Sequence, residues 1–314
     1  MELDLGAVRT FVAIAEDHSF GEAADRLRVS QQAVSKRIAR LESDLGVTLF
    51  FRSRAGAGLT EDGRAFLPHA RALVGIADQA VEALRGRRRA LRVDVLDTRL
   101  ASIDLVRGFH QAVEGVEVDV VTSDGLRGAR DALARGAVDA VLCRISGVLD
   151  DALACVPAYL EPLHLLVGRG HPLAGRARVG LTELAGSTIW MPRNIEGSEW
   201  AEFYSFLAVD FDLRIDTSGP YFGYEDYVES VATGLRPPSV AGDGTRLPWH
   251  PDLVRIPFSE PVPVYPWWLL RHRQNQHPGL RLLLRHLTAR HRPFDPERHW
   301  LPVADQAAFG VAAP

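Results

Sequence analysis

Lysine is almost absent from this chain: of its 36 Lys and Arg residues, only Lys36 is lysine. The accompanying abundance of Arg, Ala, Gly and Val matches GC-rich coding, so arginine content by itself says nothing about nucleic-acid binding. Cysteine is as scarce. Cys143 and Cys155 stand alone, which excludes a disulfide scaffold and fits a reducing cytoplasm. No run of about 18 uncharged apolar residues occurs, which argues against a membrane span. The opening Met1-Glu2-Leu3-Asp4 is acidic and lacks the basic start and apolar core of a signal peptide. The net charge of −4 excludes the global basicity of a sequence-blind nucleic-acid binder. Catalytic signatures are missing too. There is no G-x-S-x-G, P-loop, H-E-x-x-H or C-x-x-C, and the 11 histidines are scattered. No catalytic residue, metal ligand or cofactor is therefore assigned, and the chain does not read as an enzyme. Cys143 falls in a buried strand pattern with nothing nearby to lower its pKa, so redox sensing is disfavoured.

The 314 residues imply two or three compact units, and 46% apolar with 24% charged residues is ordinary for a globular protein. The most informative stretch is Ser19 to Arg52, SFGEAADRLRVSQQAVSKRIARLESDLGVTLFFR. Before it, Val8, Phe11, Val12 and Ala15 fall at helical spacing over Leu5–Glu16. Ser19 caps a short helix through Leu27, and Arg28-Val29-Ser30 breaks it. Ser30 caps a third helix with Ala33, Val34, Ile38, Leu41 and Leu45 on its apolar face, ended by Gly46. The opposite face carries Gln31, Gln32, Ser35, Lys36, Arg37 and Arg40.

That arrangement reads as a helix-turn-helix whose second helix enters the DNA major groove. Gln31 and Gln32 suit adenine edges, and Lys36 or Arg37 suits guanine. Ser30, Ser35 and Arg40 suit phosphates. A hairpin with a Gly-containing tip follows over Val47–Leu59, and Arg52 and Arg54 could reach phosphates or a minor groove from it. The competing reading is that this face merely solvates a buried helix in the head of a small-molecule-binding protein or enzyme. A nucleoid-type architectural binder is a second alternative, opposed by the balanced charge.

Thr60 caps a long helix, Glu61–Arg85. Phe66, Ala70, Leu73, Ala77, Ala80 and Leu84 recur in steps of four and three, a seam about three heptads long. It either pairs with a second copy or lies on its own domain. Gly86-Arg87-Arg88-Arg89 reads as a solvated hinge. From Ala90 the pattern changes to strands alternating with helices, which predicts a mostly parallel, helix-covered sheet. Strands are expected at Leu91–Val95, Val116–Val120, Val138–Leu142, His164–Val167, Thr188–Met191 and Tyr265–Leu270. Helices are expected around Ile103–Phe109, Ala129–Leu133, Glu199–Leu207, Tyr224–Thr233 and Gly279–Ala289. Arg292–Pro314, rich in Pro and Ala, is expected to pack loosely.

Four stretches, from Phe11 in TFVAIAE through Ser19–Glu42, Leu45–Arg52 and LTEDGRAFL (Leu59–Leu67), resemble the LysR-type transcriptional regulators. Weaker echoes are LARGAVDAVLCR (Leu133–Arg144), HPLAG (His171–Gly175) and LTELAG (Leu181–Gly186). The resemblance implies an α/β protein with an N-terminal winged helix-turn-helix over residues 1–60 and a dimerising linker helix with hinge over 61–89. An effector domain like the periplasmic binding proteins follows over 90–292. Its first subdomain would hold about 90–160 and 267–292, its second about 161–266, with a tail over 293–314. It also implies double-stranded operator DNA and a small-molecule effector as partners, self-association as a dimer or homotetramer, and no membrane.

By that analogy the effector lies at strand ends facing a cleft between subdomains. Thr98, Arg99, Ser102, Ser123 and Arg144 are the candidates in the first subdomain, and Trp190, Trp200, Tyr204, Phe222 and Tyr224 in the second. The aromatics suit a planar or bulky ligand, and Arg99 or Arg144 could pair with a carboxylate on it. One departure stands out: Arg236-Pro237-Pro238 interrupts a segment where the family usually continues into a strand. Proline supplies no ladder N–H, so that strand is expected to begin later, at Ser239.

Overall fold

The structure, a computed structural model, describes residues 3–53, 56–85, 89–192 and 194–310. It separates into two compact units, Met1–Arg88 with Ala134–Ala137, and Arg89–Leu133 with Val138–Pro314. No described helix is long and apolar enough to cross a membrane.

The first unit opens with α1 (Leu5–Asp17), capped by the Asp4 carboxylate, which accepts from the Gly6 N–H. α2 (Phe20–Leu27) is capped by Ser19 and ends at Arg28, a non-glycine residue held left-handed at φ 54°. α3 (Gln31–Leu45) starts where the Ser30 hydroxyl accepts from Ala33 N–H and stops at Gly46, φ 71°. The antiparallel hairpin β1 (Phe50–Ser53) and β2 (Gly56–Leu59) follows, then α4 (Glu61–Arg85). The three helices close over Val8, Phe11, Ile14, Ala24, Val34, Ile38 and Leu41, all buried. Glu42 joins α3 to the wing, its Oε1 accepting from the N–H groups of Leu49 and Phe50 at 2.7 and 3.2 Å. α4 approaches the hairpin closely at Gly63, where a Cβ would lie 2.2 Å from the Leu49 carbonyl oxygen.

α4 divides the expected heptad seam. Phe66 lies 5.2 Å from Phe11, ring centre to ring centre, and Ala70 is fully buried against the same head core. These two positions belong to the head because a three-helix unit of this size needs another wall over Phe11. Leu73 and the neighbouring Ile76 are exposed. The Ala80 and Leu84 side chains, and the Gly86–Arg88 part of the hinge, lie outside the described residues.

The second unit is α/β. β3 (Leu91–Val95), β4 (Val118–Thr122) and β5 (Ala140–Cys143) run parallel, connected by α5 (Ala101–Ala112) and α6 (Leu126–Ala134). β6 (Leu153–Gly168) is 16 residues long and changes partners along its length. Up to Pro162 it pairs with β11 (Val262–His272); from Leu163 it pairs with β9 (Ser239–Gly242) and β10 (Leu253–Pro257). One continuous strand thus belongs to both halves of the unit. β7 (Thr188–Trp190) and β8 (Arg214–Asp216) form a separate parallel pair, flanked by α7 (Glu199–Phe211) and α8 (Tyr224–Ala232). β9 begins at Ser239, directly after the two prolines.

The C-terminal stretch departs from the loosely packed tail expected of it. After α9 (Pro278–Arg290), β12 (His299–Trp300) pairs parallel with β11, and α10 (Val303–Phe309) follows. Leu301 and Phe309 are buried against Val264 and Trp268. The Trp300 Nε1–H donates to Asp210 of α7 at 2.9 Å. Its order comes from distant tertiary partners rather than from local periodicity.

Candidate functional site

Two surfaces invite a ligand. The first is the outer face of α3. The Ser30 cap sets where this helix starts, and Val34, Ile38 and Leu41 anchor its inner face. Gln31, Gln32, Lys36, Arg37 and Arg40 are thereby exposed and Ser35 is half-buried. Lys36 and Arg37 form no ion pair with the described residues, and Arg40 reaches only Asp44 at 3.8 Å on the same helix. Arg54 and the side chain of Arg52 lie outside the described residues.

The second is a cavity of about 330 Å³ in the α/β unit. The ends of β3 and β4 contribute Leu96, Asp97, Leu100, Asp124 and Arg127 on one side. Opposite stand Trp200 and Tyr204 from α7, then Tyr221, Tyr224 and Tyr227 around the start of α8. The floor is β9, held by a hydrogen-bonded chain. Tyr227 donates to the Ser239 hydroxyl, which donates to the Trp190 carbonyl, each at 2.6 Å. Burial pushes the Tyr227 hydroxyl up to about 12 and pushes Tyr204 up as well, so both stay protonated. The Tyr204 hydroxyl and Asn194 Oδ1 are buried without a partner among the described residues.

Of the residues expected at an effector site, Trp200, Tyr204 and Tyr224 line this cavity. Thr98 and Arg99 sit beside its wall, with Arg99 committed to Glu225 and to the Arg246 carbonyl, over the Tyr224 ring. Ser123 donates to the buried Asp94 carboxylate at 2.5 Å, and Ser102 is fully buried in α5. Trp190 packs beneath the wall, stacked on Tyr227 at 5.6 Å, its indole N–H on the Ser218 carbonyl. Phe222 is exposed and off the wall.

Arg144 differs most from expectation. It is 1% exposed, and its guanidinium is taken by Asp305 at 2.8 and 3.1 Å, Glu202 at 2.5 Å and the Glu199 carbonyl at 3.2 Å. It therefore pins α7 and α10 to the end of β5 and offers no donor to an acidic ligand. Asp97 and Asp124, which the sequence reading does not include, also line the cavity, each next to an expected residue, Thr98 and Ser123. The strand-end rule that selected the neighbours was signal enough to find them.

A further polar centre lies under the cavity. Glu161 of β6 is 1% exposed, accepting from the Trp267 indole N–H at 2.7 Å and the Gly244 N–H at 3.0 Å. Burial pushes its carboxyl up to about 7 against those two donors. Cys143 is buried and Cys155 half-buried, both as thiols, and burial pushes both up. A second, more open cavity of about 560 Å³ is bordered by Arg178 and Arg298, which are already bonded to the Phe258 carbonyl and Glu260.

With this geometry in hand, known proteins can be compared. Residues 5–64 match the family described as "Bacterial regulatory helix-turn-helix protein, lysR family", and residues 84–220 match "LysR substrate binding domain". The HTH-type transcriptional regulator ShiR of Corynebacterium glutamicum (strain R) is 36% identical over 261 residues, 80% of this chain and 86% of its own. A "Probable hydrogen peroxide-inducible genes activator" of Mycobacterium xenopi is 35% identical over 181 residues, 56% of this chain and 95% of its own. Among solved structures, a full-length OxyR variant from Pseudomonas aeruginosa has a TM-score of 0.66 at 21% identity, covering 91% of this chain and 95% of that one. Full-length CbnR in complex with its target DNA has a TM-score of 0.61 at 21% identity, covering 91% and 99%.

Proposed function

The chain belongs to the LysR family and is a transcriptional regulator of that type; from that premise we propose that it reads operator DNA through α3 under the control of a small molecule held in the 330 Å³ cavity. The observation that carries the DNA reading is the pair of exposed, unpaired cations Lys36 and Arg37 beside Gln31 and Gln32 on a helix whose inner face is locked into the head. A helix of this width fits the major groove, and these side-chain types hydrogen-bond to its base edges. A neighbour of the same fold was solved with its target DNA. The residues proposed to contact DNA are Ser30, Gln31, Gln32, Ser35, Lys36, Arg37 and Arg40. Their working site is the cytoplasm, where operator DNA is found.

The effector residues proposed are Trp200, Tyr204 and Tyr224, with Asp97 and Asp124 added. Because β6 runs through both halves of the α/β unit, a ligand bridging the walls biases how those halves close, without covalent chemistry. Self-association through the exposed Leu73 and Ile76 of α4 would then carry that bias to paired heads, whose joint affinity exceeds that of one. A peroxide signal, as in the name of the mycobacterial relative, is not favoured. Both thiols are held protonated by burial, whereas a sensing cysteine needs an accessible thiolate.

The test is a gel shift and footprint on the DNA flanking the gene. Gln32→Ala with Lys36→Ala should lower operator affinity by about tenfold or more, since a good base contact contributes about 1–3 kcal/mol. Thermal melting should be unchanged. A wild-type footprint from the double variant would refute the assignment of α3.

A further inference from the structure

The cavity wall has a charge pattern that names a ligand class. Among the described residues its carboxylates are Asp97, Asp124 and Glu199, against one cation, Arg127. Glu199 is buried and its Oε1 accepts from the Leu126 N–H at 3.0 Å, while the Asp97 carboxylate accepts, among the described residues, from the Arg99 backbone N–H alone. Asp124 is exposed to the cavity mouth and takes no hydrogen bond from the described residues. Three arginines around the cavity are engaged by carboxylates of the protein, Arg99 by Glu225, Arg246 by Asp104, and Arg144 by Asp305 and Glu202, which leaves Arg127 as the described cation on the wall itself. Three carboxylates against one guanidinium give the described wall an acidic excess.

Two further observations point the same way. The Asn194 Oδ1, without a partner among the described residues, is another acceptor at the wall, and the buried Tyr204 hydroxyl, likewise without one, accepts as well as donates. The aromatic side already seats a cation, since the Arg99 guanidinium lies 5.1 Å above the Tyr224 ring. Such rings attract cations through their negative faces.

We propose that the effector is an amine: an ammonium group held between Asp97 and Asp124, carried on a flat apolar body packed against Trp200 and the tyrosines. The volume fits a single-ring or indole-sized amine, at the small end of the ~300–1,000 Å³ range of ligand sites. This rests on the reading of the cavity as the effector site. It replaces the carboxylated ligand expected from Arg99 and Arg144, because Arg144 is buried and fully bonded within the protein and Arg99 is turned onto Glu225 and the Tyr224 ring.

The experiment is calorimetric titration of the full chain with matched pairs of equal ring and opposite charge: phenethylamine against hydrocinnamate, and tryptamine against indolepropionate. At least one amine should bind about tenfold or more tightly than its acid partner, as expected for one charge-assisted hydrogen bond gained against one charge repelled. Asp97→Asn with Asp124→Asn should weaken that amine by about tenfold, and Arg127→Gln should tighten it, so the two variants move in opposite directions. Acids binding as well as amines, amine binding indifferent to the aspartates, or no binding by either amine each overturn the proposal. Any of these with intact operator binding leaves the regulator reading standing, whereas loss of operator binding in the wild type sinks that reading instead.

Discussion

Glu161→Gln should stabilise the α/β unit at alkaline pH and lose that advantage at acid pH. The carboxyl is buried at the partner switch of β6, between the Trp267 and Gly244 donors, with Asp243 nearby and Arg255 as the neighbouring cation. Burial is the largest influence and raises its pKa from 4.5 to about 7. Since the folded value lies above the unfolded one, the stability it contributes is complete below about 4.5 and lost as pH rises through about 7. At 1.36 kcal/mol per pK unit that shift corresponds to about 3 kcal/mol. An amide stays neutral throughout, but its NH₂ must face one of the two donors, a cost of about 1–2 kcal/mol at every pH. The difference between variant and wild type should therefore move by about 2–3 kcal/mol in favour of glutamine between pH 5 and 8.5. For a unit of this size that is about 4–12 °C of relative melting temperature. Urea unfolding of both proteins at the two pH values, followed by tryptophan fluorescence, measures it. Parallel behaviour at both would refute a carboxyl that titrates near neutrality.

Asp305→Ala should lower the stability of the α/β unit by about 3 kcal/mol, because it strips the buried carboxylate partner from a buried guanidinium. Arg144→Met in the same chain should recover part of that loss in a melting experiment; a loss below about 1 kcal/mol would mean that α10 is not a structural partner. Leu73→Glu with Ile76→Glu should reduce the assembly to a smaller species by light scattering without changing the melting of the head. An unchanged mass would place the self-association surface elsewhere.

The head was legible in the chain because its determinants are local. Ser19, Ser30 and Thr60 cap helices, Gly46 ends one, and the apolar spacing of Val34, Ile38 and Leu41 orients α3 without help from distant residues. The start of β9 at Ser239 was legible for a similar reason, since proline cannot enter a ladder. Where the decisive partners lie far apart, reading failed. Arg144 and Asp305 are 161 positions apart, so nothing near Arg144 announced that its charge was already matched. The same bond orders a C-terminal segment whose Pro and Ala content looked structureless. Phe66 and Ala70 kept heptad spacing yet serve the head core, because spacing alone does not distinguish an intramolecular partner from a second copy.

The solitary lysine has a practical consequence. Lys36 stands exposed on α3, and every other basic side chain is arginine or histidine, neither of which acylates as a primary amine does. Apart from an α-amino group, an amine-reactive dye, cross-linker or sensor-chip coupling has one address on this protein, the face proposed to read DNA. Immobilisation by amine chemistry would silence the head it was meant to display. The rate of labelling there under mild conditions would report occupancy, since operator DNA already on the helix would shield the amine.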